Sequence, residues 1–401
     1  MRMGRIMAGA ALVGVVWAAA AEAQAPLTVD RAVELALARN SQIVAADADV
    51  LSARSAAYSA YSAVLPSLSA SLTRSGSETR EQRGTQVVGG EWTVPTTTPE
   101  YEVYATTPEV SAAWSVLNLS SLAGVSSARA GLRSARWQRV AARQAVAMQA
   151  RQRFYDVVTA VKLVEVNGRA LQLARDNERR VSVLFEVGSV SRSDLLKAEV
   201  QTAQSQLDSI AAVQTMLERR NALAGFIGVA EAGLGEVDTV LTAVPASYEE
   251  EAVLREAEAN RPDLKAARAA LGSARSAMLA ARLRWLPYVT VAGSAVLDPF
   301  SDTKTFTAEG LPLSAHSEYD RRLSGQVAVN WDLFDGLARS ASNAAARAQL
   351  LRAEDAYEVL RRNLAGEVHQ AAVTYEQALA SERLANTAVA SWRTSSSRTA
   401  P

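Results

Sequence analysis

The chain has 401 residues, and its 42 basic side chains, nearly all Arg, balance 42 acidic ones to a formal net charge of zero, which excludes the polybasic surface of a nucleic-acid or anionic-membrane binder. No cysteine is present, so disulfides, thiolate metal sites and a lipid-modified N-terminal cysteine are excluded together. Apolar residues reach 49% but aromatics only 6%, and with Ala supplying much of the apolar share this favours close-packed helices over a bulky globular core.

Arg2 and Arg5 precede the apolar run IMAGAALVGVVWAAA, which closes in small residues at Ala21 and Ala23. This is the pattern of a secretory signal peptide over residues 1–23, and the run is short for a membrane anchor. A mature chain starting near Gln24 is expected, exported beyond the inner membrane. No later stretch is long and apolar enough to span a bilayer as a helix, so any membrane insertion would need a barrel. The mature chain opens with LTVDRAVELALARN, an amphipathic helix with Thr28 or Asp30 as its cap.

Asn40 to Pro66 aligns without a gap on Arg261 to Pro287, the word SARSA and the terminal LP falling in register. WSVLN from Trp114 resembles WDLFD from Trp331, and Tyr155 falls opposite Tyr375. The chain is therefore a tandem duplication of about 220 residues per unit. The expected organisation is a first repeat over 24–230, a linker over 231–249, an incomplete second repeat over 250–388 and an atypical tail over 389–401.

Each repeat passes from helix to strand at a proline, Pro66 and Pro287, because the residue before proline is steered out of helix. The following strands are expected at 66–75 and 108–118, then at 288–297 and 322–334. SLSASLT alternates Ser67, Ser69 and Ser71 with Leu68, Ala70 and Leu72; QVAVNWDLF sets Val327, Val329, Trp331 and Leu333 against Gln326, Ala328, Asn330 and Asp332. Such period-two alternation gives one apolar and one polar face. Between the strands of each pair lie long polar segments, GSETREQRGTQVVGGEWTVPTTT and DPFSDTKTFTAEGLPLSAHSEYD, which are expected to be loops. Four strands are too few to close a membrane barrel, which needs about eight, so several copies would have to contribute. The apolar set, with Trp114, would then face lipid and the polar set the lumen.

The helices carry a heptad period. Apolar or small residues recur at Phe154, Val157, Val161, Val164, Gly168 and Leu171, resume at Leu196, Val200, Ala203, Leu207, Ile210 and Leu217, and return at Leu264, Ala267, Leu271, Ala274, Met278 and Ala281. A sustained 3.5-residue period implies supercoiled helices. The helix from about Leu122 to Val187 would approach 100 Å. FEVGSVSRSDLL, residues 185–196, breaks the pattern, with the tip at about 185–194. Gly188 can end the incoming helix in a left-handed conformation, and Ser191 can cap the outgoing one with Asp194 in a box-like arrangement, so the break is a hairpin tip. His316 and His369 stand without a nearby Cys or carboxylate cluster, a poor metal-ligand pattern. No His-centred triad and no phosphate-cradling glycine loop occurs either.

The signal peptide, the duplicated helix-strand-loop-strand-helix order, LP at each helix-to-strand passage, WDLFD before the returning helix, and Phe185, Val187, Gly188, Leu195 and Ala198 in the spacing F.VG......L..A together resemble the TolC-type outer-membrane efflux proteins. The resemblance covers nearly the whole mature chain. It implies an α+β membrane protein, with a long coiled-coil periplasmic tunnel and four β-strands per chain in a twelve-stranded barrel of a homotrimer in the outer membrane of a Gram-negative bacterium. The implied role is a passive exit duct of a tripartite efflux or type I secretion system, with a periplasmic adaptor, an inner-membrane pump or secretion transporter and outer-membrane lipid as partners, and neither cofactor nor catalysis. It also implies that the tip narrows to an entrance lined by acidic residues. Asp194 aligns where such a polar constriction residue often stands, so it is either a cap alone or a cap that also faces the pore. Arg192 and Ser193 are neighbours able to pair across chains, and the tip is implied as an adaptor contact. From Val389 the heptad gives way to Ser, Thr, Arg and Pro, of poor helix propensity. The second repeat's tip and return helix are thus not reached, and the C-terminus is expected to be truncated or frame-shifted. The alternatives are a soluble periplasmic coiled-coil adaptor or scaffold, an exported enzyme, or a non-functional truncated channel.

Overall fold

A computed structural model describes residues 26–79, 82–88, 91–98, 101–230, 234–239, 247–297, 300–306, 312–318 and 321–398. The signal-peptide residues lie outside this set, as does part of the 231–249 linker. The elements run α1 (Val29–Arg39), α2 (Ser41–Ser62), β1 (Ser67–Thr79), β2 (Gln82–Val88), β3 (Glu91–Thr98), β4 (Tyr101–Leu117), α3 (Leu119–Glu186), α4 (Arg192–Ile227), α5 (Glu250–Asn260), α6 (Pro262–Leu283), β5 (Tyr288–Val296), β6 (Phe300–Phe306), β7 (Pro312–Glu318), β8 (Arg322–Asn330) and α7 (Ala338–Arg398). The chain divides into two compact units. One holds Ala135–Ala266 with the chain up to Leu51 and from Leu360 onward; the other holds Ser52–Ser134 and Ala267–Val359.

The first unit is helical. Thr28 caps α1 by accepting from the Arg31 N–H at 3.3 Å. Asn40 separates α1 from α2: its Oδ1 accepts from Gln42 N at 2.9 Å, and its Nδ2 donates to the Phe226 carbonyl of α4 at 3.0 Å. The core is built by Ala32, Val33 and Ala36 of α1, Val146, Ala150, Phe154, Val157 and Val158 of α3, and Leu223, Ala224 and Ile227 of α4. Small α1 residues let three helices approach closely at this point, and full burial of the Val, Leu and Ile side chains supplies about 1.5 to 3 kcal/mol each. Leu27 and Val237 form a parallel bridge, with Leu27 N donating to Glu236 O at 2.6 Å and Asp238 N to Leu27 O at 3.0 Å. Arg219 pairs with Asp156 across α3 and α4 at 3.7 Å.

The heptad holds in α3, where Phe154 and Val157 are buried and Val161, Val164 and Leu171 half-buried, and in α6, where Leu264, Leu271, Ala274, Met278 and Ala281 are buried. In α4 the expectation is corrected. Leu196, Val200, Leu207, Ile210 and Leu217 are exposed, and the buried seam is Ala198, Ser205 and Ala212, with Thr202 and Ser209 half-buried. Two heptad stripes share the helix, and the smaller side chains take the inner one because they permit closer backbone approach.

The second unit contains the sheet. β1, β4, β5 and β8 pair in that order, all antiparallel, with Ser67 opposite Ala113, Ser111 opposite Ser294 and Ser294 opposite Ser324. These are the four expected strands. The polar segments between them are not plain loops, however. β1 runs on to Thr79 and β4 starts at Tyr101, β2 pairs with β3, and β6 pairs with both β7 and β4. Thr, Val and Tyr favour strand strongly enough to outweigh the Gly and Pro turn signals; Pro95 is accommodated beside a register shift between Thr85 and Gln86. β8 ends at Asn330 rather than at 334, because the chain turns there into α7 through Gly336 and Leu337, both with positive φ. At the helical end of this unit α3 and α6 are tied by Ser127 and Ser273, each hydroxyl donating to the other's backbone carbonyl at 3.0 and 2.9 Å. α7 stays helical to Arg398, which corrects the expectation of a non-helical tail from 389; helix propensity is a weak prior that context overrides.

Candidate functional site

Three features of the chain carry candidate functional residues: the α3–α4 tip, the two faces of the sheet, and the joints where helix passes into strand. At the tip, α3 ends in a Schellman motif. Gly188 sits at φ 75°, its N–H donates to Phe185 O at 2.9 Å, and the Ser189 N–H donates to Leu184 O at 2.8 Å. Two orphan carbonyls of the helix end are satisfied by this arrangement, which glycine adopts without steric cost. Three residues on, Ser191 caps α4. Its Oγ accepts from Asp194 N at 3.2 Å while Asp194 Oδ2 accepts from Ser191 N at 3.3 Å and from Ser191 Oγ at 2.7 Å.

The Ser191 hydroxyl and backbone N–H, followed by Lys197 with its Nζ 3.6 Å from Asp194 Oδ1, hold the Asp194 carboxyl below its ordinary value. Gly188, Ser191, Arg192, Ser193 and Asp194 are all exposed. The tip thus brings the Asp194 carboxylate, the Lys197 ammonium and the Ser191 hydroxyl together at the start of α4. Val187 and Phe185 beside it are exposed apolar residues.

On the sheet, direct cross-strand pairing puts Trp114, Val291 and Val327 in one row, and Val289 with Val329 in the next. Leu68, Leu72, Leu323, Val327 and Val329 are 70 to 82% exposed. The opposite face carries a row that alternation along single strands does not reveal: Ser69, Ser111, Ser294 and Ser324 fall side by side across all four strands. Ser69 and Ser111 Oγ are 2.8 Å apart, as are Ser294 and Ser324 Oγ. Gln326, Ala328 and Asn330 alternate with the valines of β8, and Asn330 Nδ2 donates to Thr290 Oγ1 at 3.1 Å. Leu333 lies beyond the end of β8, so alternation assigns it no face.

The joints repeat each other. Pro66 and Pro287 each stand between a helix end and the first residue of a strand. Trp114 Nε1 donates to Val64 O at 2.9 Å, and Trp331 Nε1 to Trp285 O at 3.2 Å, so in each repeat an indole closes the turn two residues before the proline. Trp331 is itself outside β8 and is placed by this bond. The second joint adds Arg339, which is 4% exposed, bound to Asp335 at 2.9 Å and stacked 4.4 Å from the centroid of Trp285. The sequence offers no signal for it beyond an Asp and an Arg four apart at a helix start. His369 Nδ1 lies 3.2 Å from Glu250 Oε1, and His316 is in β7; among the described residues no cluster of three or more His, Cys, Asp or Glu forms a metal site.

The sequence matches the family described as outer membrane efflux protein over residues 32–229 and 253–399. The fold is similar to the outer membrane protein VceC of Vibrio cholerae, at 18% identity and TM-score 0.68, covering 88% of this chain and 80% of that one. It is similar to the outer membrane channel CmeC of Campylobacter jejuni at 15% identity and TM-score 0.68, covering 93% and 77%. The open state of the MtrE outer membrane channel of Neisseria gonorrhoeae matches at 18% identity and TM-score 0.64, covering 93% and 80%. No curated protein matches the sequence.

Proposed function

The chain belongs to the outer membrane efflux protein family, and on that premise we propose that it serves as the outer-membrane exit duct of a tripartite efflux or type I secretion system. The observation that carries this reading is the sheet β1-β4-β5-β8. Its apolar face is open, and among the described residues its outer strands β1 and β8 have no partner on their far sides. An exposed apolar patch with unpaired edges is a liability in water. In a lipid barrel completed by further copies it is what closure requires. No helix of the described residues is long and apolar enough to cross a membrane, which leaves the strands as the membrane element of this proposal.

Three copies supplying four strands each would make a twelve-stranded barrel. The Leu68, Val327 and Val329 face, with Trp114 and Trp331, would meet lipid, and the serine row would meet the lumen. The exposed α4 stripe Leu196, Val200, Leu207, Ile210 and Leu217 supports the homotrimer, since heptad apolar residues of this kind are covered by neighbouring helices. The rigid tip with Asp194 is the proposed periplasmic entrance, where an adaptor and the pump behind it would engage. The role needs no cofactor and no catalytic group.

Fractionation followed by planar-bilayer recording tests the reading. The protein should partition with outer-membrane material and require detergent, and the purified oligomer should give discrete conductance steps. Recovery in detergent-free periplasmic extract would exclude the barrel, and electrically silent oligomer would exclude an open duct.

A further inference from the structure

The apolar face of the sheet stops at nearly the same height on both outer strands, and an arginine follows on each. Apolar-face positions run Leu68, Ala70 and Leu72 along β1, and Val329, Val327, Gly325 and Leu323 along β8. The next position on that face is Arg74 in β1; on the other side it is Arg321, one residue before β8 begins. Register ties the two heights together. Leu72 stands opposite Pro108, the Leu297 N–H donates to the Pro108 carbonyl at 2.9 Å, and the β5–β8 pairing, which ends at Val296 opposite Arg322, brings Arg321 level with Leu297. Arg74 is thus one row beyond Arg321.

Along β4 the apolar band fills residues 108–117, close to the length of about 9 to 11 residues that a tilted strand needs to cross a bilayer. Both arginines lie at the end of the sheet away from the helices, since α2 leads into β1 at Ser67 and the chain leaves β8 toward α7 at Asn330. The rim is aromatic as well as basic. Tyr104 of β4 stands opposite Gly76, where an added Cβ would fall 2.8 Å from its ring, so the glycine is what lets the ring lie across β1. The Arg74 guanidinium carbon is 5.7 Å from the centroid of that ring, and among the described residues Arg74 makes no ion pair. An aromatic ring at the end of an apolar band sits at headgroup level, and a guanidinium beside it offers paired donors that match the oxygens of a phosphate.

We propose that Arg74 and Arg321 form a clamp for the phosphate monoesters of an outer-leaflet lipid headgroup. This deepens the export reading and rests on it, because only in the closed barrel does β8 of one copy run beside β1 of the next. Each seam then joins Arg321 of one copy to Arg74 of its neighbour, both held at the top of the apolar band by the membrane itself. A phosphate monoester carries about 1.5 to 2 negative charges at pH 7, which suits two guanidinia better than the single charge of a diester.

The test is binding of diphosphoryl lipid A to the detergent-purified full-length oligomer, followed by native mass spectrometry, with the enzymatically dephosphorylated lipid as comparison. Saturable binding is expected, at least tenfold weaker for the dephosphorylated lipid and for the variant carrying Arg74→Gln and Arg321→Gln. Arg322→Gln, one residue on and on the serine face, should leave binding unchanged. Bilayer conductance of each variant shows that its barrel has assembled, and where the double variant does not assemble the comparison of the two lipids on the unsubstituted protein still decides. Equal binding of the two lipids, equal binding by the assembled double variant, or an equal loss in Arg322→Gln overturns the proposal. Displacement of the lipid by inorganic phosphate does so too, since it would make this a site for free anions. An oligomer that conducts but binds neither lipid refutes the clamp and leaves the export reading standing, whereas protein that never enters a bilayer refutes both.

Discussion

At residue 194 the sequence offers one carboxylate two roles, a helix cap and a pore-facing residue. The structure accounts fully for the first: Asp194 closes a capping box with Ser191 and is flanked by Lys197. Because the folded carboxyl titrates below the unfolded value of about 3.9, its support of the α4 terminus is complete above that value and is lost as pH falls through the lower folded value. Hydrogen-exchange protection of the 194 and 195 amides, corrected for intrinsic rates, should therefore be level from neutral pH to about 4 and then fall. In Asp194→Asn it should start lower and show no such step, and superimposable profiles would refute the charged box. Ser191→Ala removes the cap itself, at a cost of about 1 kcal/mol, and should lower protection at every pH. The glycine, the serine and the aspartate are legible at this tip because helix ends obey local rules that three or four residues satisfy. Arg339 is not legible, since its burial depends on Trp285, far away in sequence, presenting a ring face to it.

A strand states its two faces by alternation but not what lies against them, and here the two neighbours along β8 differ. Val327 shares a cross-strand row with Val291 and Trp114, while Gln326 stands opposite Ala292 on the serine face. Under the proposed barrel, Val327→Arg puts a guanidinium into lipid, costing about 2 to 4 kcal/mol near the bilayer midplane and less toward the interface, whereas Gln326→Arg faces water. Heat-modifiable oligomer in outer-membrane fractions should fall sharply for the first and little for the second; equal effects would void the face assignment. The four main strands and both proline joints are legible because period and proline act locally. The polar segments read as loops because their glycines and prolines are strong local turn signals, while cross-strand pairing, which no single segment announces, decides otherwise in the fold. α4 shows the same limit: its heptad is visible, yet the stripe of Leu and Ile faces away from the chain's own core, and the inner stripe of Ala, Thr and Ser carries too little hydrophobic signal to announce itself.

Among the described residues, the far edges of β1 and β8 are unpaired and the outer stripe of α4 is exposed within one chain. A sheet edge asks for a strand and a heptad stripe asks for a helix, and a closed ring of identical copies supplies both without a second protein. The zero net charge is compatible with such self-association, since copies do not repel one another globally. If the helical stripe is an interface between copies, Leu207→Asp with Ile210→Asp should dissociate the proposed trimer in detergent, seen as a shift to monomer in mass photometry and loss of inter-chain cross-links. Gln201→Asp, an exposed polar position on the same helix, adds the same kind of charge and should leave the trimer intact. The secondary structure of the double variant should persist by circular dichroism, because Ala198, Ser205 and Ala212, not Leu207 and Ile210, form the seam buried within the chain. A trimer that survives both aspartates would mean that strand pairing alone holds the copies together and that the α4 stripe serves another partner.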